Sequence, residues 1–224
     1  MKVLCIILAR SNSKSIKNKN LLNIKNKTLL QLTSEFALKL NFLDKVLFNS
    51  NSKKYLKLAK KYGIKDVYLR PRYLSKNNTT SLEVIKDYII KTNSFDFTHI
   101  LILQPTTPFR KLEHFKKAFN LLRNSKFDSV ITINKVKDEP ERMLTINKKN
   151  IISNFLKKKN FSFVSRQKLK QKFIRSGSMY FFKTSNIIRY NSVLGKNNYG
   201  LEVNGKYSIN IDSIEDYNLA KIYI

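Results

Sequence analysis

Short aliphatic runs alternate along this chain with amphipathic stretches of helical length, and that alternation limits the fold more than any other sequence feature. Val3–Leu8, Lys45–Ser50 and His99–Gln104 are brief, aliphatic and closed by polar residues, the pattern of strands buried on both faces of a parallel sheet. Val67–Leu69, Ser129–Ile133 and Ser178–Phe182 are further strand candidates. Between them, Lys27–Leu40 gathers Leu29, Leu30, Leu32, Phe36, Ala37 and Leu40 largely on one stripe. Ser52–Tyr62 does the same and is followed by Gly63, a C-terminal cap. Ser81–Thr92 and Leu112–Leu122 continue the series, and a last helix is expected over Ser213–Ile224. Strand–helix alternation predicts an α/β domain built on a doubly wound, mostly parallel sheet. Ligands of such sheets sit at the C-terminal ends of the strands.

The pattern changes near Asp138-Glu139-Pro140, and from Met143 to about Val164 the chain is rich in Lys and Asn with short apolar pieces. This stretch reads as a small β-rich excursion or inserted arm on one domain spanning residues 1–224. No internal repeat and no flexible linker divides the chain.

Composition excludes several classes. With 42% hydrophobic and 12% aromatic residues this is not a disordered chain. No apolar run approaches the roughly 18–20 residues needed to span a bilayer, so no membrane partner is expected. Met1–Ala9 lacks a small-residue cleavage site and reads as a buried strand, not a signal peptide, which leads us to expect a cytoplasmic protein. The one cysteine, Cys5, cannot form an internal disulfide and lies within the first strand. His99 and His114 lack partners at metal-ligand spacing, so no zinc site is expected. The formal charge of +29 points to an anionic partner. Lys and Asn are spread along the chain, however, and the longest pure lysine run is Lys157–Lys159. A specific nucleic-acid footprint would concentrate its cations, so a basic nucleic-acid-binding protein is kept as the rival of another class.

Three segments carry chemistry. The first is the turn after the opening strand, Ala9 to Asn20, which sets Arg10, Lys14, Lys17 and Lys19 among small polar residues. Such a surface suits a polyphosphate. It contains no glycine and is neither a Walker loop nor a dinucleotide fingerprint; a solvated basic loop would look the same. The second is Leu103-Gln104-Pro105-Thr106-Thr107-Pro108-Phe109-Arg110. Its prolines stiffen the chain just past a strand, presenting Gln104, Thr106, Thr107 and Arg110 to a substrate or simply leading into a helix. The third is Ser208 to Asp216, where Asp212 precedes the last helix. Asp212 could hold magnesium near phosphates; physics alone favours helix capping by Asp212 or Ser213.

Together these segments resemble the acylneuraminate cytidylyltransferases, the CMP-sialic acid synthetases. Ala9-Arg10-Ser11-Asn12-Ser13-Lys14 through Lys19-Asn20 is similar to that family's A-R-x-x-S-K-x-x-x-x-K-N loop, and Leu103–Arg110 to its L-Q-P-T-S-P-L-R motif. Leu69-Arg70-Pro71 with Leu74 and Thr79-Thr80-Ser81 resembles L-R-P-x-x-L-…-T-x-S. Arg166-Gln167 with Gly177 and Tyr180 resembles R-Q-…-N-G-x-x-Y, and Ser208–Asp216 resembles S-I-D-I-D-T-x-x-D. The matches are in order and cover nearly the whole chain.

The resemblance implies a nucleotide-diphospho-sugar transferase type of fold and transfer of CMP from CTP to the anomeric hydroxyl of a sialic-acid-like acidic keto-sugar, with release of pyrophosphate. The alternative sugars are Kdo, pseudaminic acid and legionaminic acid. Arg10, Lys19 and Asp212 would be catalytic. Arg10, Asn12, Ser13, Lys14, Lys19, Asn20, Arg70 and Ser81 would bind the nucleotide: Arg10 and Lys19 would hold the CTP phosphates, with Ser13 and Lys14 completing the loop, and Arg70 and Ser81 would read the cytosine. Gln104, Thr106, Thr107, Arg142 and Arg166 would bind the sugar acid. Asp212 and Asn210 would bind Mg²⁺. The resemblance also implies a homodimer in which about 143–190 serves as a dimerisation arm. The chain departs from the pattern at Asn210, where the family has Asp, at Ser176, where it has Asn, at Ile174, where it has Arg, and at Asn51, where Asp is common. Asn210 makes a catalytically dead relative a further reading.

Overall fold

The computed structural model describes residues 1–13, 15–124, 126–156 and 169–223. The chain opens with β1 (Val3–Leu8), a small hairpin of β2 (Asn23–Ile24) and β3 (Lys27–Thr28), and α1 (Leu29–Leu38). It continues through β4 (Lys45–Ser50), α2 (Lys53–Lys61), β5 (Asp66–Leu69), α3 (Ser81–Lys91), β6 (His99–Leu103), α4 (Leu112–Arg123) and β7 (Ser129–Lys135). Then come a hairpin of β8 (Leu144–Ile146) and β9 (Ile152–Asn154), the long β10 (Phe173–Lys183), α5 (Ser185–Tyr190), β11 (Asn198–Glu202) and α6 (Ile214–Ile222).

Seven strands form one sheet in the order β11-β7-β10-β6-β1-β4-β5. Six run parallel, and β10 alone is antiparallel, between β6 and β7. The expected doubly wound, mostly parallel sheet is therefore present. Side chains alternate across it as strand geometry requires. Val3, Cys5 and Ile7 face a core shared with Leu30 of α1, Tyr55 of α2 and Phe115 of α4. Leu4 and Ile6 face the opposite core, shared with Ile85 and Tyr88 of α3 and Ile187 of α5. A third cluster, around Ile24, Leu29, Ile211 and Ala220, packs the last helix beside the first hairpin.

From β1 the chain moves outward to β4 and β5, then returns to the other side of β1 to lay down β6. The strand order thus reverses between β1 and β6, which opens a crevice at their C-terminal ends. The turn after β1 and the Pro-rich turn after β6 flank that crevice.

The segment expected as an appendage divides in two. Residues 144–154 form a separate hairpin that, among the described residues, pairs only within itself. Phe173–Lys183, by contrast, is a central strand whose Met179 and Phe181 enter one core and Phe182 the other. β10 also carries an irregularity. Arg175 pairs with Ile133, but Tyr180 pairs with Ile131, so residues 176–179 of β10 stand opposite Thr132 alone in β7. Thr132 stabilises the break: its hydroxyl accepts from Met179 N at 2.9 Å and donates to Met179 O at 3.3 Å.

Candidate functional site

A cleft of about 430 Å³ lies at the switch point, within the size range of small-ligand sites. Its walls come from four of the five matched motifs: Arg10, Ser13, Lys19 and Asn20; Arg70 and Ser81; Gln104 and Thr106; Asn210 and Asp212. Lys76, Asn77, Thr79 and Thr80 complete it, from the turn leading to α3.

The first turn is tied in place from two sides. Asn51, just past β4, accepts from the Ser11 backbone N–H at 2.9 Å and from its hydroxyl at 3.3 Å. Asn20 donates through Nδ2 to the Arg10 carbonyl at 2.8 Å, closing the loop on itself. Asn20 therefore acts on the cleft through the loop it fastens. Lys19 opens a single 3₁₀ turn after Asn18, whose positive φ of 54° turns the chain back toward the sheet. The Lys19 side chain is buried, and its ammonium sits 2.9 Å from Asp212 Oδ1 and 3.3 Å from the Asp212 carbonyl.

Arg70 follows β5, and its backbone N–H bonds to Ser50 O at 2.8 Å. Its residue exposure is only 8%. Nε donates to the buried Asn49 Oδ1 at 2.8 Å. Burial, and then the neighbouring Arg10, push the Arg70 guanidinium down to about 10. Arg10 and Arg70 thus bring two like charges to one wall, an arrangement an anion would relieve. Among the described lining residues Arg10, Lys19, Arg70 and Lys76 stand against one carboxylate, Asp212.

Gln104 and Thr106 line the far wall. Ile211 N donates to Thr106 O at 2.8 Å, which draws residues 210–212 against this turn. Gly177, at the irregularity in β10, packs against two of the lining residues with φ of 80°; a Cβ there would lie 3.1 Å from Gln104 Oε1 and 3.8 Å from Asn210 Cγ. Only a residue without a side chain accepts both that backbone and that approach easily.

Ser213, rather than Asp212, caps α6: its hydroxyl accepts from Asp216 N, and the Asp216 carboxylate accepts from Ser213 N at 2.8 Å. Asp212 is thereby left free to face the cleft. Asn210 Nδ2 donates to Asp212 Oδ2 at 2.5 Å, while Asn210 Oδ1 is buried without a protein partner. An exposed carboxylate beside an orphaned amide oxygen is an all-oxygen donor set, which suits a hard divalent cation that takes its other ligands from phosphate and water. Among the described residues no group of three or more His, Cys, Asp or Glu could hold a metal ion.

Two anticipated substrate contacts are not brought to the cleft. Thr107 is fully buried, and its hydroxyl donates to the Gln104 carbonyl at 3.0 Å. Arg142 ends an exposed 3₁₀ turn, Pro140–Arg142, before the β8–β9 hairpin and is absent from the lining. Arg110 does not point over the sheet edge: it turns inward to Gln104 O at 2.6 Å, Thr107 Oγ1 at 3.0 Å and Thr33 Oγ1 at 3.2 Å. Burial pushes its guanidinium down to about 9. Asn12 lies in an adjoining hollow with Arg70, Arg72 and Lys76. Lys14 and Arg166 lie outside the described residues. Lys76 and Asn77 were missed, with only their polar turn composition as a signal, and Thr79 was named in the matched motif without a role.

No helix among the described residues is long and apolar enough to cross a membrane. The N-acylneuraminate cytidylyltransferase of Streptococcus agalactiae serotype III is 26% identical over 218 residues, which is 97% of this chain and 52% of that protein. The chain spans about half the length of the curated relatives it matches. Its fold is similar to that of a CMP:2-keto-3-deoxy-manno-octonic acid synthetase complexed with CTP, with a TM-score of 0.69 at 11% identity, covering 100% of this chain and 98% of that one. It is also similar to the 4-diphosphocytidyl-2C-methyl-D-erythritol synthase of Anaerococcus prevotii, with a TM-score of 0.65 at 16% identity, covering 99% and 95%. At these identities the likeness is one of fold. The cytidylyltransferase family model matches residues 4–221, and the chain belongs to that family.

Proposed function

We propose that this chain transfers CMP from CTP to the anomeric hydroxyl of a sialic-acid-like sugar acid and releases pyrophosphate. The observation that carries this reading is the meeting of Arg10, Lys19 and Arg70 with one carboxylate at the switch point of the sheet. The named relatives at 26% identity support a nine-carbon acylated sugar. An eight-carbon acid is the second reading, favoured by the shared fold of the synthetase for 2-keto-3-deoxy-manno-octonic acid.

The chemistry is one in-line displacement. The sugar hydroxyl oxygen bonds to the α-phosphorus of CTP as the bond from that phosphorus to the bridging oxygen breaks; pyrophosphate carries off the electron pair, and the hydroxyl proton passes to water. No covalent intermediate is required, so the protein's tasks are positioning and charge neutralisation. Arg10 and Lys19 hold the phosphates against their mutual repulsion. Arg70 and Ser81 address the base, and Gln104 and Thr106 orient the sugar. Asp212 and Asn210 would hold Mg²⁺, which when bound neutralises charge on the phosphates. The apolar residues exposed on the β8–β9 hairpin, Leu144 at 56%, Ile146 at 65% and Ile152 at 62%, support a homodimer assembled through that arm.

Incubation with CTP, Mg²⁺ and a panel of nine- and eight-carbon keto acids, with mass detection of the CMP-linked product, tests the proposal. A nine-carbon product is expected. Absence of any CMP-sugar, with CTP bound and unturned, would overturn the activity, and an eight-carbon product alone would replace the substrate.

A further inference from the structure

Both oxygens of the Asp212 carboxylate are already engaged from within the protein: Lys19 Nζ meets Oδ1 at 2.9 Å and Asn210 Nδ2 meets Oδ2 at 2.5 Å. The two partners of the ion pair differ sharply in access. The Lys19 side chain is 9% exposed, whereas the Asp212 side chain is 68% exposed, so the ammonium is held beneath the carboxylate and the carboxylate faces the cleft. Residue 210 contributes no charge. One ammonium therefore balances one carboxylate, and the remaining lining cations, Arg10, Arg70 and Lys76, leave the empty cleft positive. A lone divalent cation entering it would meet that positive field and would have to break the Lys19 pair.

Resting on the phosphate and cation assignments above, we propose that Lys19 is a place-holding cation for Asp212, so that the cleft accepts a nucleoside triphosphate and a divalent cation as a unit and takes up the cation alone poorly. Lys19 exchanges a carboxylate partner for a phosphate partner when the nucleotide enters, and Asp212 is released at that moment. The exchange is balanced in charge and moves no covalent bond. It also gives the asparagine at 210 a purpose. A second carboxylate there would exceed what one ammonium can neutralise and would hold a free cation, whereas a neutral amide keeps the pair closed yet leaves Asn210 Oδ1, buried and unpartnered, as a waiting ligand. By linkage, whatever Lys19 costs the cation in the empty cleft it returns when the nucleotide is present.

The test uses the full chain, free of nucleotide, with Mn²⁺ as the probe followed by electron paramagnetic resonance. Lys19→Met is expected to tighten Mn²⁺ by about fivefold or more, the scale of one partly exposed ion pair. Asn210→Asp leaves the buried lysine in place and is expected to tighten it comparably. In a second measurement, CTP binding in EDTA is expected to tighten in Asp212→Asn, because Lys19 is no longer engaged; adding Lys19→Met should abolish that gain. Unchanged Mn²⁺ affinity in both Lys19→Met and Asn210→Asp overturns the exchange, as do strictly additive effects of the two substitutions on CTP. Tight Mn²⁺ binding that survives Asp212→Asn in the Lys19→Met background would instead remove Asp212 as the ligand. CTP binding indifferent to both Arg10→Ala and Lys19→Met would remove the phosphate reading of the cleft. Either result discards the exchange along with its premise.

Discussion

Gly177 packs so closely on Gln104, a side chain that lines the cleft, that a single added methyl group on Gly177 would stand 3.1 Å from Gln104 Oε1. Gly177 lies within the irregular stretch of β10. Gly177→Ala should cost about 1–2 kcal/mol in stability, from the positive φ and the crowding together. It should also raise KM for the sugar acid more than KM for CTP, because Gln104 must give way. Urea denaturation and steady-state kinetics with each substrate varied would check both.

Arg10 is expected to be the residue whose loss weakens CTP most directly. Arg10→Ala removes a charge-assisted contact worth roughly 1.5–3 kcal/mol, or about 10- to 100-fold in affinity. Calorimetry across a salt series should also show a shallower dependence on ionic strength than for the wild type.

The two adjacent threonines should separate cleanly. Thr106 lines the cleft while Thr107 is buried under Arg110. Thr107→Val is expected to lower stability by about 1–2 kcal/mol through unpaired partners, with little change in KM. Thr106→Val should raise KM for the sugar acid and leave the melting temperature nearly unchanged.

His99 makes stability depend on pH. It is 8% exposed, its Nε2 is buried without a partner, and Nδ1 bonds to Thr98 Oγ1 at 2.9 Å. Burial, then Lys183 and the N-terminus, push the ring down to about 4. The unfolded chain, near 6.5, takes up a proton that the folded chain refuses. Stability is therefore full above about pH 6.5 and falls as the pH drops toward 4, by roughly 2–3 kcal/mol in all. Thermal melts from pH 7.5 to 4.5 should show this slope, and His99→Phe should flatten it.

The exposed hairpin should govern association. Ile146→Lys together with Ile152→Lys removes apolar surface that touches little within the subunit. Light scattering after size exclusion should show a folded monomer where the wild type is a dimer, with far-ultraviolet circular dichroism unchanged.

Much of the sheet was legible because its chemistry is local. The aliphatic runs of β1, β4 and β6 and the stripes of α1 and α2 carry their period in neighbouring residues. β11 was not legible: Asn198-Tyr-Gly-Leu-Glu202 has no aliphatic run, and its strand state comes from pairing with β7, where Gly200 lets Ile133 pack against its backbone. The site followed the same division. Arg10, Lys19, Arg70, Gln104 and Asp212 could each be picked out, but residue spacing left them in separate segments, and only the family resemblance joined them in one site. Whether Thr107 or Arg110 faced outward depended on Thr33 and the Gln104 carbonyl, which no spacing within residues 103–110 reveals.

The sequence by itself determined the alternation of elements, and with it an α/β sheet whose polar turns collect at the strands' C-terminal ends, because side-chain period is a property of adjacent residues. Only the tertiary structure decided that Lys19 lies on Asp212, 193 positions away, that Asn210 leaves an oxygen unpaired, and that Gly177 packs against Gln104. These relations depend on the order in which strands pair, and that order is set by burying all the faces at once.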